Sequence, residues 1–177
     1  MYFTELDEKT RTEMVHTNLT SVVEMTALVL PDMVEAKRGA IINIASAASR
    51  TPGSPLLALY SSTKAAVEYF SSSLHHEVRG KGVIVECHSP YFVKTKMSKI
   101  RNASFFTPEP EDYVASSLGS FGSAISVVPF WTHALQDSFM KCLPDWAQSA
   151  LVMWMHKDIR NRAIKKAARE VAAAKKA

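Results

Sequence analysis

The run Tyr60-Ser-Ser-Thr-Lys64 sets a phenol and an ammonium four residues apart. On a helix that spacing puts both on one face, where they can serve a single ligand. By itself the spacing suits a surface tyrosine above a solvated lysine equally well. Its neighbourhood adds to it. Ser46 lies fourteen residues upstream, just past an isoleucine-rich run, and Pro90-Tyr-Phe-Val-Lys-Thr95 follows a second apolar run. If both runs are parallel strands, these segments sit at their carboxyl ends, where open α/β sheets bind ligands. Asn18, inside an earlier helical segment, completes four polar groups on one rim.

Other residues read more plainly. His75-His76 is an exposed helix pair, and Trp146, Met153, Trp154 and Met155 form either core or the wall of an apolar pocket. Lys175-Lys176-Ala177 is a solvated tail. Cys87 and Cys142 are far apart, which fits a reducing compartment and excludes a cysteine-built metal site.

The elements that must position these groups follow from periodicity. Thr10 to Lys37 reads as a helix with Val22, Thr26, Val29 and Met33 on one face, distorted at Pro31. Gly39 to Ala45 reads as a buried parallel strand, followed by small residues and a Pro/Gly loop from Thr51 to Pro55. Leu59 to Arg79 is a second helix with Val67, Phe70, Leu74 and Val78 inward, closed by Gly80 and Gly82. Val83 to His88 is a second strand, stopped by Pro90. A helix is expected over Glu109 to Leu118, a third strand over Val127 to Leu135 and a helix over Pro144 to His156. From about Arg160 an Ala/Lys/Arg helix or frayed tail follows. Alternation of helix and strand with short links indicates an α/β parallel sheet.

Composition limits the functions available. The chain of 177 residues is 47% hydrophobic and 21% charged, the mix of a soluble globular domain. Its net charge of +4 is concentrated in residues 157–177, which hold eight Lys or Arg against two acids, so the rest is slightly acidic. The basic balance therefore describes a tail and not a nucleic-acid face. Residues 1–15 lack an apolar stretch, so no signal peptide or membrane anchor is expected there. The six glycines cannot assemble a G-x-G-x-x-G or P-loop motif.

With these residues in view, the chain from about Tyr2 onward resembles the carboxyl-terminal portion of short-chain dehydrogenase/reductases, in the branch of very-long-chain 3-oxoacyl-CoA reductases and 17β-hydroxysteroid dehydrogenases. The resemblance is carried by Asn18-Leu-Thr-Ser, Gly39-Ala-Ile-Ile-Asn-Ile-Ala-Ser46, Tyr60-Ser-Ser-Thr-Lys64, Pro90-Tyr-Phe-Val-Lys-Thr-Lys-Met97 and the Leu143-Pro-Asp-Trp146 region. It implies the carboxyl-terminal half of a Rossmann-type doubly wound sheet lacking the first strands. Residues 1–156 would be the catalytic and substrate half and residues 157–177 a basic tail.

The resemblance implies carbonyl reduction with NADPH, NADH being left open. Tyr60 would donate the proton and Lys64 would supply the nearby charge that a phenol of pKa about 10 needs. Ser46 would stabilise the developing alkoxide, with Ser49 as its rival, since the loop before Tyr60 is one residue longer than the family's. Asn18 would anchor a water that relays protons to Lys64. Tyr60, Lys64, Pro90, Val93 and Thr95 would hold the cofactor, and no metal is expected. The substrate would be an apolar carbonyl compound, a long-chain 3-oxoacyl-CoA or a steroid, and the two long helices would form a homodimer. The branch resides in the endoplasmic reticulum membrane, whereas this chain, carrying no anchor, would be cytoplasmic if it exists alone. The contrasting reading is a truncated, catalytically inactive product that acts at most as a dimerising or interaction fragment.

Overall fold

Two apolar runs of six residues, each followed at once by small or proline-containing loops, pair as parallel strands in the computed structural model, which describes residues 1–98 and 100–174, with side chains to 169. Strand β1 (Gly39–Ile44) aligns with β2 (Val83–His88) from Gly39↔Val83 to Ile44↔His88. A two-residue strand, β3 (Ser126–Val127), adds in parallel to the other edge of β2 through Cys87↔Ser126 and His88↔Val127. The order is β1-β2-β3, so the expected α/β parallel sheet is present.

Helices α1 (Glu8–Val15) and α2 (Ser21–Glu35) precede the sheet, and α3 (Ala58–Val78) connects β1 to β2. Leu74 and Val78 of α3 pack with Val83 and Val85 of β2 in one buried cluster, which Met33 and Ile41 flank. A second cluster joins Ala45, Val67 and Cys87 nearer the carboxyl ends of the strands. The expected inward faces of the two helices are therefore those that bury. Cys87 is fully buried, whereas Cys142 is exposed, and burial pushes the Cys87 pKa up to about 11.

Several expectations change. The long first helix carries Pro31 within α2. It also widens, earlier in the chain, into a π turn, His16–Thr20, where the Ser21 N–H reaches back five residues to the His16 carbonyl. The third strand does not run from Val127 to Leu135. It ends at Val127, and helix α4 (Pro110–Gly119) is followed after it by α5 (Trp131–Cys142). Pro129 cannot donate to a ladder. Beyond it Thr132, His133 and Asp137 are buried while Trp131, Leu135 and Phe139 are exposed, a helical and not a two-residue period.

Helix α6 (Asp145–Ala174) continues without a break past His156. Gln148 and Val152 are buried, so Trp146 (76% exposed) and Trp154 (69%) face outward and are not core. The rings of His75 and His76 do meet edge to face at 5.5 Å, but His75 is half-buried and not exposed, its Nδ1 sitting 2.8 Å from the Val85 carbonyl oxygen. The dilysine-like Lys175-Lys176-Ala177 lies outside the described residues.

The turn into β2 depends on Gly82, whose φ is +77°. A Cβ there would lie 2.0 Å from the Lys37 carbonyl oxygen, whereas one at Gly80 would meet nothing within 4 Å. Gly82→Ala is expected to lower the unfolding free energy by about 2 kcal/mol or more, and Gly80→Ala by well under about 1 kcal/mol. Urea unfolding of the two variants checks the contrast.

Candidate active site

The pairing of β1 with β2 continues past both strands. The Ala45 N–H donates to the His88 carbonyl at 2.9 Å, and the Ala47 N–H to the Pro90 carbonyl at 2.8 Å. The two loops that leave the sheet are thereby bonded to each other, and Ser46 and Pro90 become neighbours. Ser46 caps a single 3-10 turn, Ala47–Ser49, with its Oγ accepting from the Ala48 N–H at 3.2 Å.

Tyr60 stands in the first turn of α3 with Lys64 one turn later, both half-buried. The Lys64 ammonium donates to the Ile44 carbonyl at 2.9 Å, so α3 leans its cation on the last residue of β1. Burial holds the Lys64 pKa below the ordinary 10.5, with Cys87 opposing weakly. Asn18 occupies the middle of the π turn, and that turn packs against α3. Irregular turns of this kind concentrate at functional positions.

In the loop after β2, Thr95 is exposed and its Oγ1 accepts from the Ser98 N–H at 3.1 Å, leaving its own proton to donate elsewhere. Ser46, Lys64 and Pro90 are thus drawn together by hydrogen bonds that run through backbone. Among the described residues, no direct hydrogen bond joins the side chains of Asn18, Ser46, Tyr60, Lys64 and Thr95 to one another.

A polar cluster beside Ser46 goes beyond the sequence reading. The Arg50 Nη1 lies 2.7 Å from Glu68 Oε1 and 2.9 Å from Ser126 Oγ, while its Nε and Nη2 take both oxygens of Asp137 at 3.0 and 3.2 Å. Burial opposes the charge on Arg50, but Asp137 and Glu68 outweigh it and raise its pKa. Ser49, the rival of Ser46, has its hydroxyl 2.6 Å from the Ser46 carbonyl and 2.9 Å from Glu68 Oε2. A signal existed in the chain: Arg50 is the one charged residue between Arg38 and Lys64, and Glu68 lies four residues beyond Lys64.

An α/β sheet with this rim at its carboxyl edge defines a Rossmann-like domain, and comparison with known proteins places it further. The chain belongs to the short-chain dehydrogenase family, whose model matches residues 1–104. It is 43% identical over 171 residues to the very-long-chain 3-oxoacyl-CoA reductase of Anas platyrhynchos, an alignment covering 96% of this chain and 54% of that protein. It is 44% identical over 154 residues to the Homo sapiens protein of the same name, covering 87% and 49%. The chain thus spans about half the length of the curated relatives it matches.

Among solved structures, a 7β-hydroxysteroid dehydrogenase superposes with a TM-score of 0.76 at 18% identity, over 85% of this chain and 61% of that one. A short-chain dehydrogenase from Sphingobium yanoikuyae in complex with NADPH gives 0.64 at 22%, over 81% and 61%. At these identities the superpositions show the fold alone. No helix among the described residues is long and apolar enough to cross a membrane, and none of their His, Cys, Asp and Glu side chains group as a metal site.

The lowered Lys64 pKa has a stability consequence. In the window between its folded pKa and 10.5 the unfolded chain binds more protons at Lys64, so this group's contribution to stability rises with pH, against the opposite contribution of Cys87. Lys64→Met is expected to remove that rise, read from urea midpoints measured across the alkaline range.

Proposed function

We propose that the protein reduces long-chain 3-oxoacyl-CoA thioesters with NADPH. The observation that carries this reading is the Lys64 ammonium held at the carboxyl end of β1, beside the loop of Ser46 and one turn from Tyr60. The relatives named very-long-chain 3-oxoacyl-CoA reductase support the substrate class.

The donor set fits a nicotinamide dinucleotide. Lys64 offers N–H groups suited to ribose hydroxyls, Thr95 retains a free O–H, and the Val93 backbone makes no hydrogen bond among the described residues. Pro90 supports the same loop through its bond from Ala47. The chemistry such a cofactor brings when bound is hydride delivery to the carbonyl carbon.

The chain's own residues do the rest. Ser46 donates its hydroxyl hydrogen to the substrate oxygen, where negative charge develops. The Tyr60 phenol gives its proton to that oxygen, with the Lys64 ammonium one turn away on the same helix. Asn18 serves a proton path that returns a proton by way of Lys64. Copies of the chain pair through α2 and α3, on whose outer faces Leu28 is 71% and Tyr69 79% exposed.

In the protein expressed from its native locus, Tyr60→Phe is expected to lower kcat by at least about 100-fold with NADPH affinity nearly unchanged, because only the proton donor is lost. Lys64→Ala should impair both. Turnover together with cofactor titration checks this, and full activity in Tyr60→Phe defeats the assignment.

Substrate choice is a separate expectation. Long-chain 3-oxoacyl-CoA thioesters should give a kcat/KM at least about tenfold above small polar sugars. Steady-state assays of both classes decide it, and a preference for a sugar rejects the substrate class.

A further inference from the structure

We propose that Arg50 is a positioning residue for the candidate reaction, acting through Ser46; the proposal rests on the reductase reading above. Ser46 and Arg50 bracket the same 3-10 turn. Ser46 caps its start, and Arg50 closes its end by donating its N–H to the Ala47 carbonyl at 3.1 Å. What happens to the Arg50 guanidinium therefore bears on where Ser46 stands.

That guanidinium is anchored on three elements. Glu68 holds it to α3, one turn beyond Lys64, Ser126 to β3, and Asp137 to α5 through a two-pronged pair. The second oxygen of Glu68 takes the Ser49 hydroxyl, so the turn is tied to α3 from two of its residues. The Ser126 hydroxyl, 2.6 Å from Glu68 Oε1, closes the ring of contacts. Helix α3 also carries Tyr60 and Lys64. One cation thus fixes the serine's turn against the helix that presents the phenol and the ammonium.

Only a planar fork can meet both Asp137 oxygens while reaching Glu68 and Ser126. A lysine ammonium keeps the charge but not that geometry. Lys141, 2.7 Å from Asp137 Oδ2, still neutralises part of the acidic charge if Arg50 is replaced. Reacting groups displaced by about 1 Å lose about 100-fold in rate, so loosening this turn should appear in kcat.

The test is a double-mutant cycle in the protein expressed from its native locus, with a long-chain 3-oxoacyl-CoA and NADPH. Arg50→Lys is expected to lower kcat by about 10- to 100-fold, with KM and cofactor affinity within about twofold. In a Ser46→Ala background the same change should add nothing, because the group it positions is gone. Wild-type kcat in Arg50→Lys, or an equal loss in both backgrounds, overturns the proposal.

Amide exchange supplies an arm that needs no turnover. Protection of Ala48 and Ser49 should fall in Arg50→Lys and in Asp137→Asn while the α3 amides stay protected. Unchanged protection of that turn overturns the proposal. A wild-type protein without turnover defeats the reductase reading itself, and the exchange arm then still decides whether Arg50 holds the turn.

Discussion

The geometry of the rim rests on the parallel register of β1 against β2 and on its two extra rungs, Ala45 to His88 and Ala47 to Pro90. Parallel ladders space their bonds evenly, so the register sets how far each strand extends before its loop departs. A slip of one residue would turn Val83 and Val85 out of the core and move Ser46 away from Pro90. The two loops belong to one rim because the backbone ladder outlasts the strands.

Polar groups enforce that register inside the sheet layer. Asn43 donates from Nδ2 to the Ser71 hydroxyl at 2.9 Å, and Ser71 donates in turn to the Val67 carbonyl at 2.7 Å, a buried link from β1 to α3. On β2 the His88 ring lies 3.1 Å from Glu86 and 2.6 Å from the Ser117 hydroxyl of α4, while Glu86 also accepts the Gly122 N–H at 2.6 Å. Buried polar groups are costly without partners, so each pairing penalises alternative packings. The Arg50 cluster applies the same rule at the edge of the candidate site.

How far the chain announces this structure depends on the kind of signal. Val67, Leu74 and Val78 bury as the helical period requires, and Val83 to His88 forms a strand as an apolar run stopped by proline should. The spacing of Tyr60 and Lys64 on α3 was also legible, because it is local. The π turn was not, since nothing in His16 to Thr20 breaks a helix by composition, and packing against α3 accompanies it. Helix α5 was masked by Trp131, Leu135 and Phe139, which look like core but are exposed. The partners of Arg50 lie 18 to 87 residues away, and side-chain pairing at that range leaves no periodic trace.

The two thiols divide the molecule into an outside and an inside. Cys142, at the end of α5, is open to a maleimide in the folded state, whereas Cys87, enclosed between Ala45 and Val67 with its ionisation suppressed, reacts only when β2 parts from α3. The chain therefore carries its own clock for sheet opening. Once Cys142 has been blocked, the rate at which a second label appears reports how often the layer beneath Ser46 and Lys64 comes apart.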